Sequence, residues 1–208
     1  MPLLLILNGT SSSGKSALLA ALQDIYPGAL LDCGLDKFLW MLPKRFLNLP
    51  DWQQVFRYEP GAAPETPIQR IRAGELGNRL VSGMHQAWLA LLQSGSHLAA
   101  DHVLIETAWR EELAALFHQQ RAYLIKVYCP LPVLEARELS RGNRTLGQAR
   151  AQYPYVHSPD IYDFAVDTSI NSPQQAAAAV FDFIAAAPRP QALRKLYNIA
   201  VQTPQVSP

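Results

Sequence analysis

Gly9-Thr10-Ser11-Ser12-Ser13-Gly14-Lys15-Ser16 decides how this chain is read. The octapeptide satisfies G-x-x-x-x-G-K-[ST] at every fixed position. At average residue usage, a chain of this length makes such a match by chance on the order of 1% of the time. Upstream stands Leu3-Leu4-Leu5-Ile6-Leu7, stopped by Asn8. An unbroken apolar run of that length suits a strand covered on both faces, as in a parallel sheet. Downstream, Ala17 to Leu22 reads as helix, ending near Pro27-Gly28. Strand, glycine loop, helix is the setting the motif requires. The glycines let the backbone curl so that its N–H groups face a phosphate chain, and the helix N-terminus adds a favourable dipole. Lys15 supplies a point charge for the β- and γ-phosphates, and Ser16 a hydroxyl for Mg²⁺. The alternative is a serine-rich turn with one exposed lysine.

Working outward, Ala29 to Cys33 predicts a second strand and Leu35 to Leu42 a short helix closed by Pro43. Five prolines break residues 43–67, where Trp52, Val55, Phe56 and Tyr58 give an apolar load; a hairpin or a lid over a pocket is expected. From Ile68 the spacing Ile71, Leu76, Leu80, Met84, Trp88, Leu92 predicts one helix, ended by Gly95. His102 to Ile105 reads as a third strand ending at Glu106, then Glu111 to His118 as helix and Ala122 to Cys129 as a fourth strand. A helix opens at Pro130, Phe164 to Val166 is a fifth strand, and Ser172-Pro173-Gln174-Gln175 is a capping box starting a helix that runs to about Ala187. A weak helix and a frayed polar tail are expected after Pro188. Strand–helix alternation of this kind specifies an α/β fold with a five-stranded parallel sheet.

The 208 residues carry 18 Lys and Arg against 17 Asp and Glu, a net charge of +1. That balance speaks against a dedicated nucleic-acid binder, which carries a strong basic excess. The apolar start is too short for a membrane span, which needs about 20 residues, and lacks the pattern of a signal peptide. A cytoplasmic protein without membrane contact is therefore expected. Cys33 and Cys129 read as buried thiols rather than a disulfide framework. The five histidines have no metal-ligand spacing; His157, which follows the basic segment, is the one of interest.

The motif leaves open where the γ-phosphate goes. Asp36, just past the second strand, falls where ligands sit in open α/β sheets. It can take a proton from a substrate hydroxyl or merely cap a helix. Asp32 is a neighbouring candidate within the strand. Glu106, after four residues of strand, resembles a Walker B acid that holds Mg²⁺ or its water; the alternative is a solvent-facing acid. Arg137, Arg141, Arg144 and Arg150, with Gly142 as a hinge, suit a mobile lid that steadies charge on a transferring phosphoryl group. They suit equally a charged helix face with pairs such as Glu138 to Arg141.

The chain resembles the chloramphenicol phosphotransferase family over roughly residues 5–187. The loop GTSSSGKS resembles that family's GSSSAGKS-type loop. Cys33-Gly34-Leu35-Asp36 followed by Met41-Leu42-Pro43 resembles its G-V-D segment with a downstream M-P. Between Cys129 and Thr168 the chain shows V-L-E-A-R-E-L-S-R-G-N-R, G-Q-A-R-A-Q, V-H and Y-D-F-A-V-D-T, near-identical to a series in that family. The resemblance implies that Asp36 is the catalytic aspartate, that Arg141 and Arg144 belong to the lid over the phosphates, and that adenine lies near Asp167-Thr168. Asn143 departs from the family's usual Asp, Glu106-Thr107 stands in place of a paired acid, and residues 43–100 match least.

These readings converge on a P-loop kinase fold over residues 1–187, with 43–67 as an acceptor-binding insertion, 137–156 as a basic lid and 188–208 as a C-terminal tail. The expected reaction moves the γ-phosphate of ATP or GTP, with Mg²⁺, from the loop 9–16 to a hydroxyl of a small molecule. Arg137, Asp167 and Thr168 would help hold the nucleotide. The acceptor would be chloramphenicol-like or another hydroxylated antibiotic or nucleoside. A homo-oligomer is compatible with the sequence. The rivals are a sugar-nucleotide kinase of the zeta-toxin type and a nucleotide-switch ATPase that takes its arginine in trans.

Overall fold

A computed structural model of the chain describes residues 1–63, 66–141, 146–186 and 189–202. Strand β1 (Leu4–Asn8) is buried along its whole length. Its side chains alternate: Leu4 and Ile6 enter one core, Leu5 and Leu7 the other, as the two faces of a strand require. The other sheet strands are β2 (Leu30–Asp32), β5 (His97–His102), β6 (Ala122–Tyr128) and β7 (Phe164–Asp167). All pair in parallel, in the order β2-β5-β1-β6-β7. The order reverses about β1, which puts the loop after β1 at a topological switch point.

Helix α1 (Lys15–Ile25) and α7 (Pro173–Ala186) cover one face. The expected capping box is present: Gln175 N–H donates to Ser172 Oγ at 3.2 Å, and Ser172 N–H to Gln175 Oε1 at 2.9 Å. On the other face, α3 (Glu75–Gln93), α4 (Thr107–Phe117) and α8 (Ala192–Gln202) pack around Trp88, Met84, Trp109 and Phe117. Helix α2 (Leu35–Leu39) follows β2, while α5 (Leu131–Arg141) and α6 (Gln148–Val156) lie between β6 and β7. Among the described residues, no helix is long and apolar enough to cross a membrane.

Two expectations change. The helix expected from Ile68 begins at Glu75, because Ile68 and Ile71 belong to β4 (Thr66–Ala73), paired antiparallel with β3 (Phe56–Ala63). A register shift near Pro60 lets residues three apart share the buried face, which imitates helical spacing. The third sheet strand is His97–His102, not His102–Ile105. Val103-Leu104-Ile105 leaves the sheet edge and is fastened as a turn, with Leu104 N–H donating to Asn8 Oδ1 and Leu104 O accepting from Arg110. The weak helix expected after Pro188 is α8, which buries Ala192, Leu193 and Leu196; the polar tail expected beyond it, from residue 203, lies outside the described residues. Asp163 Oδ1 accepts the Gln191 and Ala192 N–H groups at the start of α8, and Tyr197 stacks on His118 at 3.8 Å.

Candidate active site

The loop 9–16 leaves β1 and enters α1, as its sequence predicts. Gly9 is required by crowding: a Cβ there would stand 2.4 Å from Val127 O. Ser12 and Gly14 have φ of 62° and 88°, the left-handed conformation that turns successive N–H groups to one side. Lys15 Nζ donates to Gly9 O at 3.0 Å and Thr10 O at 2.6 Å, tying the lysine across the loop. The Ser12 and Ser13 hydroxyls are buried without a hydrogen-bond partner among the described residues. Such groups are costly to leave unmet, and an anionic ligand in the loop would satisfy them. The residues present therefore fit a phosphate chain.

Two clefts open on either side of this loop and share Ser12, Gly14 and Arg141. The larger, about 420 Å³, takes Lys15, Ser16, Asp36 and Asp101 at its polar end, and Trp40, Trp52, Phe56 and Tyr58 as an aromatic wall. The Pro-broken segment thus meets Asp36 in one cavity. Asp36 stands in the first turn of α2, whose N-cap is Gly34, so it is not the cap of that helix. Asp32 does not line the cleft; it accepts from Gly34 N–H at 3.1 Å and pairs with Lys37 at 3.1 Å.

Sequence reasoning missed Asp101. It sits one residue before the end of β5, beside Leu7 of β1, and accepts from Ser16 Oγ at 3.3 Å. A Cβ on Gly34 would stand 1.9 Å from Asp101 Oδ1, so only glycine lets the chain leaving β2 pass this carboxylate. Burial pushes the Asp101 carboxyl above its ordinary value; Lys15 opposes that push, while Asp36 and Asp32 add to it. Glu106 is elsewhere: it accepts from Ala73 N–H at 2.8 Å and faces Arg72 at 3.5 Å, joining the hairpin to α4. Glu106, expected to hold the metal, lines neither cleft. Among the described residues, no group of three His, Cys, Asp or Glu side chains could hold a metal by itself. A hydroxyl with one or two carboxylates and substrate phosphates is what Mg²⁺ uses, and Ser16 with Asp101 fits that set.

The smaller cleft, about 310 Å³, lies between α5 and α7 and is lined by Arg137, Arg141, Thr168 and Asn171. Arg137 donates to Thr168 Oγ1 at 3.1 Å and Thr168 O at 2.6 Å, and Thr168 Oγ1 in turn donates to Ser13 O at 2.7 Å. Asp167 does not line this cleft; its carboxylate accepts from the Ser169 N–H and hydroxyl, building the turn after β7. Arg141, the last residue of α5, reaches both clefts; Arg144 lies outside the described residues. Arg150 is paired with Glu135 at 2.6 Å. Glu138 is not an exposed partner of Arg141. It is buried, and accepts the Gly147 and Ala149 N–H groups that open α6. His157 donates to or accepts from Tyr162 at 2.8 Å, and burial, helped by Lys126, pushes its pKa down to about 4.

A glycine loop at a sheet switch point, flanked by one cleft holding a carboxylate and one holding arginine, defines a P-loop kinase; the chain is a phosphotransferase. It matches the chloramphenicol phosphotransferase-like protein family over residues 3–185 and belongs to that family. A Mycobacterium tuberculosis protein, provisionally named an O-phosphotransferase, is 27% identical over 195 residues, spanning 93% of this chain and 87% of its own length. Among solved structures, a sugar kinase from a Janibacter species aligns with a TM-score of 0.62 at 14% identity, over 90% of this chain and 97% of that one. The tunicamycin resistance protein of Deinococcus radiodurans aligns with a TM-score of 0.60 at 15% identity, over 89% and 95%. At those identities the likeness is one of fold.

Proposed function

We propose that the enzyme moves the γ-phosphoryl group of ATP to a hydroxyl of a small molecule, chloramphenicol-like or another hydroxylated antibiotic or nucleoside, and so acts in the cytoplasm as a modifier of such compounds. One observation carries this reading. Lys15 and Ser16, which would hold the phosphates, share a single cleft with Asp36 and an aromatic wall, so donor and acceptor can meet there.

Asp36 takes the proton of the acceptor hydroxyl as its oxygen forms a bond to the γ-phosphorus. The bond from that phosphorus to the bridging oxygen breaks, ADP leaves, and the proton passes from Asp36 to solvent. Lys15 and the loop N–H groups bind the phosphates. Arg141, open to both clefts, steadies the charge in transit. Arg137 and Thr168 border the space for the base. Ser16 and Asp101 would hold Mg²⁺, which when bound offsets the phosphate charge. The aromatic side chains Trp52, Phe56 and Tyr58 take the body of the acceptor.

A screen of hydroxylated antibiotics and nucleosides with ATP and Mg²⁺, read by mass, tests the reading. A product heavier by one phosphoryl group, formed together with ADP, is expected. Nucleotide hydrolysis that no acceptor accelerates would favour a nucleotide-switch ATPase instead.

A further inference from the structure

Helix α6 runs beside the phosphate loop and is pinned at both ends and in its middle. Glu138 caps its start at 2.7 and 3.1 Å. At its end, Val156 O accepts from Asn8 Nδ2 at 2.8 Å, one residue before the loop. Between them, Gln148 Nε2 donates to Tyr58 OH at 2.7 Å, and Gln152 Oε1 accepts from Ser11 N–H at 2.6 Å. Gln148 and Gln152 are four residues apart and therefore share a helix face. Both line the acceptor cleft.

The Ser11 bond fixes which way the Gln152 carboxamide points. An N–H donor can be met only by the oxygen, so the NH₂ group is turned to the other side. Gln152 is only 8% exposed and lines the acceptor cleft, and among the described residues no acceptor pairs with its Nε2, while its Oε1 is taken by Ser11. Ser11 lines the acceptor cleft alone, whereas Ser12 and Gly14 line both clefts. The oriented donor therefore stands where the loop meets the acceptor side. A donor fixed in advance at such a place needs no reorganisation when charge arrives.

We propose that Gln152 is a further catalytic residue of the phosphotransfer reaction described above, on which this inference rests. Its Nε2 donates to an oxygen of the phosphoryl group as that group passes from nucleotide to acceptor. Its Oε1, held by Ser11, keeps the donor aimed. The bond forms on the acceptor side, so it strengthens during transfer rather than on nucleotide binding.

The test needs no acceptor. The Kd of Mg·ADP is measured with and without aluminium fluoride, a mimic of the phosphoryl group in transit, for the wild type, Gln152→Glu and Gln152→Met. Melting curves confirm that each variant is folded. Glu keeps an oxygen for Ser11 but loses the donor; Met keeps the shape, without charge or donor. The proposal expects both variants to bind Mg·ADP as the wild type does and to lose about tenfold or more of the tightening by fluoride. Loss in Met alone would reduce Gln152 to an anchor for Ser11, and loss in Glu alone to a matter of charge; either overturns the proposal. So does full tightening in both, or a wild type that binds Mg·ADP without tightening. A wild type that does not bind Mg·ADP at all would take the donor-site reading down as well.

Discussion

Ser16 Oγ donates to Asp101 Oδ2 at 3.3 Å, so the first turn of α1 meets the carboxyl end of β5 directly beside the phosphate loop. Removing the Asp101 charge should weaken Mg²⁺ binding. Asp101→Asn is expected to raise the Mg²⁺ concentration for half-maximal turnover by about 10- to 100-fold. Glu106→Gln should leave that concentration unchanged, because Glu106 serves Ala73 N–H and Arg72. A magnesium titration of the two variants checks both; an effect of Glu106→Gln alone would return the metal to Glu106.

The two arginines that reach the smaller cleft should separate kinetically. Arg137 is bound to Thr168, which holds Ser13 O, so Arg137→Ala should chiefly raise the KM for ATP. Arg141 is exposed and borders both clefts. Arg141→Ala should lower kcat, on the order of 10²-fold, more than it raises the KM for ATP. The Arg144→Ala variant is expected to follow Arg141→Ala. Steady-state kinetics would contradict this if kcat were unchanged in both Arg141→Ala and Arg144→Ala.

Glu138→Ala removes the buried cap of α6 and leaves the Gly147 and Ala149 N–H groups without their acceptor. The cost should be about 1–3 kcal/mol, a fall in Tm of several degrees for a chain of this size. Glu138→Gln, which keeps one oxygen, should cost less. Calorimetry that finds no fall for Glu138→Ala would contradict the cap.

Two buried histidines should make stability depend on pH. His102 is held well below an ordinary imidazole by burial first, then by His85 and Lys15. His157 is pushed to about 4 by burial, then by Lys126, with Asp160 opposing. Each is neutral in the fold and takes up a proton only on unfolding. Their contribution is therefore complete above about pH 6.5 and is lost as pH falls from there toward 4. Guanidinium unfolding between pH 7.5 and 5 should show stability falling, with a slope that approaches about 1.4 kcal/mol per pH unit for each histidine. His157→Gln should remove one share of that slope. A flat profile would contradict the assignment.

What the sequence made legible follows from how contiguous each signal is. The loop 9–16 stands in eight consecutive residues, and β1 before it is apolar throughout because both its faces are covered. Asp36 stands out in the sequence by its place beyond a strand, and it lines the cleft with Lys15 and Ser16. Asp101 was hidden because β5 reads His97-Leu98-Ala99-Ala100-Asp101-His102, small and polar for a buried strand. The stronger apolar run, Val103 to Ile105, is held by Asn8 and Arg110 rather than by a ladder. Ile68 and Ile71 imitated a helix through a bulge in their hairpin. Gln152 carries no charge to draw notice, and only the fold brings it 2.6 Å from Ser11, 141 residues away.

The central claim is that Asp36 faces a hydroxyl acceptor across the cleft it shares with Lys15 and Ser16. Asp36→Asn tests it most directly, because Asn keeps the shape and hydrogen-bonding reach but cannot take the proton. With an acceptor found in the mass screen, kcat should fall by about 10²–10⁴-fold, while the Kd for ATP stays within about twofold of wild type. Phosphorylation of that acceptor at near-wild-type rate by Asp36→Asn would contradict the account.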